Sequence, residues 1–205
     1  MLHLIQKSHL PDFLNKQFIP LFCLFVFACL LTYKKYSPVY TAFCILVLFN
    51  YSYFIHIAFH NFPDIINLHI NHHHNVEENK SIINKILNIL LETGTNIIFF
   101  LIFYYFQKIT NLHLVPNIII FYYGFIYVTA HNINYSIYHT AKQHVLHHKT
   151  TDNDAVKTCN YGPDLADHIY NTNCYKKTFE NYIHIIPNIL ISFLITYYLY
   201  KPELF

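Results

Sequence analysis

The chain has 205 residues, of which 54% are hydrophobic, 19% aromatic and 12% charged. An ordinary soluble domain carries about 25% charged residues, so this composition excludes disorder and fibrous repeats and leaves too little polar surface for a soluble helical bundle. A net charge of +2 supplies no basic field, so no nucleic-acid partner is expected.

Five apolar runs follow in chain order. Residues 18–31 are short of the roughly 20 that a bilayer span needs, which predicts a tilted or incomplete first span. Lys7 and Lys16 precede this run as in a signal peptide, but no small-x-small site follows, so the segment is expected to stay as an anchor. Residues 39–59 are long enough to span. Residues 86–106 are interrupted by Glu92 and Gly94, and residues 115–130 form a fourth run. A fifth, 182–200, is broken by Pro187 and either spans or lies partly in the membrane surface. A carboxylate in an apolar run such as Glu92 points to function by default, but a place near the headgroups serves as well, so it stays outside the predicted site.

Pairing the first four runs as two hairpins leaves Lys34, Lys35 and Lys108 in the tight turns. Lys7, Lys16, Lys80, Lys85, Lys142, Lys149, Lys157, Lys176 and Lys177 fall on the other side. The positive-inside rule then places the N-terminus, the middle loop and the region after residue 130 in the cytoplasm. The cysteines (Cys23, Cys29, Cys44, Cys159 and Cys174) are too few and scattered for a disulfide scaffold, and three lie in apolar runs as small hydrophobes.

There are 16 histidines and no arginine. On this topology most histidines gather at the cytoplasmic face. Their spacing carries the chemistry. His56 and His60 are four residues apart. His69, His72 and His73 form H-x-x-H-H, and His144, His147 and His148 repeat it. Such i, i+3, i+4 spacing points two or three imidazoles from one helical face. Imidazole suits zinc, iron, copper and nickel, and eight to ten such donors exceed the need of one ion. Two metals are the economical reading. His3, His9, His113 and His184 read as ordinary polar residues, and His74 as a bystander to its box.

In order and spacing, these boxes resemble the fatty acid hydroxylase / sterol desaturase superfamily of integral-membrane enzymes. The boxes are His56-Ile-Ala-Phe-His60, His69-Ile-Asn-His72-His73 and His144-Val-Leu-His147-His148. The element Asn160-Tyr161-Gly162-Pro163-Asp164 follows, and then Asp167-His168-Ile169-Tyr170-Asn171-Thr172. The resemblance is strongest over residues 40–173, within a single membrane domain covering 1–205. The third element departs from the family pattern, with Tyr135 where some members place a second histidine after His131. The final element reads Tyr170-Asn171-Thr172 in place of F-G-T.

The resemblance implies an all-α fold: a polytopic bundle of about four transmembrane helices under a cytosolic, helical, histidine-rich metal cap. It implies two iron ions, with zinc as a substitute in purified protein, and O2 as co-substrate. The implied activity is hydroxylation or desaturation of a sterol or fatty-acyl C–H bond. The implied ligands are His56, His60, His69, His72, His73, His131, His144, His147 and His148, with His139 and His168 as weaker candidates. Asp164 and Asp167 are placed to accept the second N–H of a ligating imidazole, as metal-bound histidine usually requires. The competing reading for both is a helix N-cap or a solvated loop charge. Asn160, Tyr161 and Gly162 shape a turn over the site. No haem module is legible, so electrons are expected from cytochrome b5 and its NAD(P)H reductase, and the family's usual address in eukaryotes is the endoplasmic reticulum. The alternatives are a non-catalytic relative with structural zinc and a metal-handling membrane protein.

Overall fold

The computed structural model describes residues 10–60, 82–138, 140, 159–173 and 178–204. The histidines at 69, 72, 73, 74, 139, 144, 147 and 148 lie outside the described residues, so the two H-x-x-H-H boxes and the predicted cap do too.

Among the described residues all regular structure is helical. Helix α1 (Leu10–Thr32) reaches well beyond the apolar run that announces it. Its Leu14–Phe18 stretch is π-helical and carries Asn15, Lys16 and Gln17, so the first span is complete, with a polar start. Helix α2 (Pro38–His60) and α3 (Ile82–Thr110) follow the second and third runs. Helix α4 (Asn117–Thr129) passes without a break in helical backbone into a π-helical segment, Ala130–Ile137. Helix α5 (Asp164–Tyr170) is short. Helix α6 (Ile186–Leu204) follows one 3-10 turn, Ile183–Ile185. Pro187 interrupts nothing: it sits in the first turn of α6, where its missing N–H has no helical partner to lose.

Four helical stretches are long and apolar enough to cross a membrane: Leu10–Thr32, Pro38–His60, Ile82–Thr110 and Ile183–Lys201. They are apolar on all sides, as membrane spans are and as surface helices of soluble proteins are not. Large apolar side chains face outward along them, among them Val39, Ile82 and Ile83 at 77–81% exposure.

The fourth apolar run, α4, plays a different part. It is the central helix, packed against α1, α2, α3 and α6, and it buries Ile119, Ile120, Tyr122, Tyr123, Ile126 and Tyr127. Around it lie Leu24, Ala28 and Leu31 of α1, Leu48 and Tyr53 of α2, Phe99 and Phe103 of α3 and Ile189 of α6. In a bilayer such contacts hold by close packing rather than by release of water, which favours small residues where helices meet. Gly124 is such a point. A Cβ there would stand 2.9 Å from Cγ of Phe100 on α3.

The chain runs back and forth, so each end of the bundle collects alternate helix ends. The starts of α1 and α6 meet where the Tyr182 N–H donates to the Lys16 carbonyl. The end of the π segment joins them through Asn134, whose amide donates to the His184 carbonyl. At the opposite end Tyr200 of α6 packs on Phe121 near the start of α4. Cys23, Cys29 and Cys44 are free thiols, whereas Cys159, expected to have no structural bridge, is disulfide-bonded.

Candidate functional site

His56 and His60 occupy the last turns of α2, one above the other. His131 opens the π segment after α4. Chain positions more than 70 residues apart thus deliver three imidazoles to one end of the bundle. The His56 and His60 rings lie 4.9 Å apart and their Nε2 atoms 3.1 Å apart. The His131 ring stands 6.3 Å from His56. His56 and His131 are buried.

The tautomers follow from the acceptors. His56 Nδ1 lies 2.6 Å from the Tyr161 carbonyl oxygen, and a carbonyl only accepts, so the proton is on Nδ1. His131 Nδ1 faces the Tyr127 carbonyl one turn back, at 3.3 Å. Both rings therefore keep the Nε2 lone pair, the form in which histidine ligates metals, and that of His56 accepts the His60 Nε2–H at 3.1 Å. The π-helical backbone supports this placement. A π turn shifts the register of the side chains that follow it, and such turns gather at functional sites.

The segment 159–173 closes over this end as a tight, polar loop. Asn160 and Gly162 take left-handed backbone, at φ 56° and 64°, and the Gly162–Pro163 bond is cis, so the expected turn is present. Asp167 is its hub. Oδ1 accepts the Tyr161 N–H at 3.0 Å and the Thr172 hydroxyl at 2.7 Å, and Oδ2 accepts the Gly162 N–H at 2.7 Å. The Thr172 hydroxyl also meets the Tyr53 hydroxyl on α2 at 2.8 Å, one turn before His56. Asp167 thus holds the peptide whose carbonyl orients His56. Burial pushes its carboxyl up to about 7, against the pull of those three donors.

Asp164 opens α5 and is buried, not a solvated loop charge. Oδ2 accepts the Gln17 amide at 3.0 Å and the Glu180 N–H at 2.8 Å, while Oδ1 lies 3.7 Å from Nε2 of His168. Burial pushes this carboxyl up to about 7 as well, with the Glu180 N–H opposing. Asn160 contributes through its backbone, donating its N–H to the Thr172 carbonyl at 2.7 Å. His168 packs on Phe179, with ring centroids 4.0 Å apart. His184 stands at the same end beside Tyr135, and His113 lies in the turn between α3 and α4 at the opposite end.

Among the described residues, His56, His60 and His131 are the predicted ligands brought together. No group of three or more His, Cys, Asp or Glu side chains there is arranged to hold an ion by itself. The other six predicted ligands lie outside the described residues. Residue types alone did not reveal Gln17, Tyr53, Thr172 or the Tyr161 carbonyl. A polar pair, Lys16-Gln17, at the mouth of an apolar run was the available signal for the first, and a backbone oxygen leaves none. Buried Glu92 of α3 belongs to the neighbourhood of Tyr127, the residue one turn before His131.

No family model matches this chain, and no curated protein or solved structure matches it either.

Proposed function

We propose that this chain is an O2-dependent membrane enzyme that hydroxylates or desaturates a lipid C–H bond at a histidine-ligated pair of iron ions. The observation that carries this reading is the convergence of His56, His60 and His131, with the His56 proton fixed on Nδ1 by the Tyr161 carbonyl. Two nitrogens about 2.1 Å from one ion and at right angles across it stand about 3 Å apart, close to the separation of the two Nε2 atoms. The donor set is therefore chemically suited to the metal. His56, His60 and His131 would hold it together with His69, His72, His73, His144, His147 and His148.

Bound iron supplies the activation of O2 that an unactivated C–H bond requires. The chain's own part is orientation and exclusion. The Tyr161 carbonyl keeps His56 in one ring orientation. Asp167 keeps Tyr161 in place, and the loop 159–173 covers the buried rings from outside. The outward apolar faces of the four long helices allow a sterol or acyl chain to reach this end from within the bilayer. Electrons come from an external donor of the cytochrome b5 type; the lysine pattern supports a cytoplasmic site, whereas the Cys159 disulfide in the same segment favours an oxidising compartment.

The test is product analysis. Full-length protein in lipid nanodiscs, supplied with iron, a reductase–cytochrome b5 pair and 18O2, is incubated with fatty-acyl and sterol substrates. A hydroxylated product bearing 18O, or a new double bond, absent with His56→Ala, is the expected result. Iron-loaded, reducible protein that oxidises none of these lipids would overturn the reading in favour of a non-catalytic metal protein.

A further inference from the structure

At the end of the bundle remote from the histidines there is a cavity of about 270 Å3. Its polar lining comes from Lys35 and Tyr36 after α1, Tyr40 of α2, His113 and Asn117 around the α3–α4 turn, and Tyr200 of α6. Among the described residues no carboxylate lines it. Lys35 brings an ammonium, His113 an imidazole N–H in either tautomer, and Tyr36 a phenol.

The cavity also takes in the first turn of α4. The Ile119 and Ile120 N–H groups are satisfied by the Pro116 carbonyl, Pro116 offers no side-chain cap, and Asn117 and Ile118 of this first turn line the cavity. A lysine, a histidine and an uncapped helix start around one hollow make a site for an anion rather than for a cationic group.

What lies beside it indicates the source of the anion. Tyr36, just before α2, and Tyr40 and Phe43 on it pack ring to ring, with centroid distances of 5.2 and 6.4 Å, and Val39 and Phe43 are exposed. An aromatic, apolar strip therefore leads from the cavity along the outside of a helix long enough to span. A volume of about 270 Å3 falls just below the range of pockets that enclose whole small ligands, which suits a headgroup with its chains left outside.

We propose that this cavity binds the phosphate of a phospholipid headgroup, with the acyl chains lying along the Tyr36–Tyr40–Phe43 strip. The lipid held here has its headgroup at the end opposite His56 and His131. It is therefore a resident lipid and not a molecule presented to the histidines. This inference does not depend on the proposed enzymatic activity.

The test uses full-length protein in nanodiscs of phosphatidylcholine doped with phosphatidic acid, with native mass spectrometry reading the lipids that stay bound. Wild type is expected to retain phosphatidic acid over phosphatidylcholine, and Lys35→Ala/His113→Ala to lose that preference by roughly fivefold or more. Lys34→Ala removes the same charge one residue away, from a side chain set 6.0 Å over the Tyr33 ring, and is expected to keep the preference. Equal losses from Lys34→Ala and Lys35→Ala would reduce the effect to general surface charge and overturn the proposal. So would absence of any preference in wild type. Competition by soluble glycerol 3-phosphate that is as strong as competition by phosphatidic acid would overturn the lipid assignment in favour of a free-phosphate site. Thermal melting of each variant identifies any loss that comes from unfolding.

Discussion

The two ends of the bundle are built from the same helices but closed by different chemistry. At the Lys35 end the buried polar groups mostly satisfy their own hairpins. Gln107 donates to the Val115 carbonyl at 3.0 Å and accepts its N–H at 2.7 Å, eight residues away, and Thr32 meets Thr41 at 2.8 Å, nine residues away. At the histidine end the bonds join distant parts of the chain. Gln17 reaches Asp164 across 147 residues, Tyr53 reaches Thr172 across 119, and His56 reaches Tyr161 across 105. Local closure is enough to turn a membrane chain. A buried network of histidines and carboxyls costs desolvation that folding alone does not require. The histidine end is therefore the one where buried polar side chains tie together the most distant parts of the chain.

His56→Ala breaks that end most severely. Complete loss of oxidised product is expected, with metal content well below wild type, while the metal-free protein loses only the about 1–3 kcal/mol that a stranded Tyr161 carbonyl costs. An unchanged metal content would remove His56 from the ligand set.

Asp167→Ala and Gln107→Leu sharpen the comparison because each strands buried donors or acceptors at one end only. Each is expected to cost about 1–3 kcal/mol of stability per stranded group. Only Asp167→Ala should also weaken metal binding, by about 10–100-fold, because it releases the peptide that orients His56. Metal titrations of both variants check this. Equal affinities in the two would separate Asp167 from the site.

The helices themselves were legible in the sequence. Long apolar runs with few charges leave little else to form, and four of the five coincide with helical stretches long enough to span. Two features were harder to read. Pro187 looks like a break because a proline inside a run usually is one, but its meaning depends on whether it falls in a first turn, which the run length did not fix. The fourth run resembles the others in composition, yet it became the buried centre, because burial depends on the neighbours and not on the run. At the site, the His56/His60 pair and His131 were legible by type and spacing. Their shared geometry was not, since it rests on π-helical register at Ala130–Ile137 and on a backbone carbonyl. Asp164 and Asp167 were read as acceptors for ligating imidazoles or as cap and loop charges, and both are buried. Their visible partners are Gln17, Glu180, Tyr161, Gly162 and Thr172, and the imidazole proton goes to Tyr161 instead.

Gly124→Ala tests the central helix that both ends share. A Cβ 2.9 Å from the buried Phe100 ring forces that ring to move, at a cost of about 1–3 kcal/mol. Thermal melts should drop while metal affinity per folded molecule stays level.

A further effect is on pH dependence. Burial raises Asp164 and Asp167 from 3.8 to about 7 in the folded chain, so folding binds protons that the unfolded chain releases. Their stabilising contribution is complete below the unfolded value and is lost as pH rises through about 7. The melting midpoint should therefore fall from about pH 4 to pH 7, and Asp164→Asn/Asp167→Asn should flatten that slope. A midpoint that rises over this window would mean that the donors around Asp167 outweigh its burial.

The most direct test of the account is metal stoichiometry on detergent-purified protein, expressed with iron and without chelators, wild type beside His147→Ala/His148→Ala. About two irons per chain, lost in the double variant, is the predicted result. No bound metal, or one zinc per chain that the double variant retains, would contradict it.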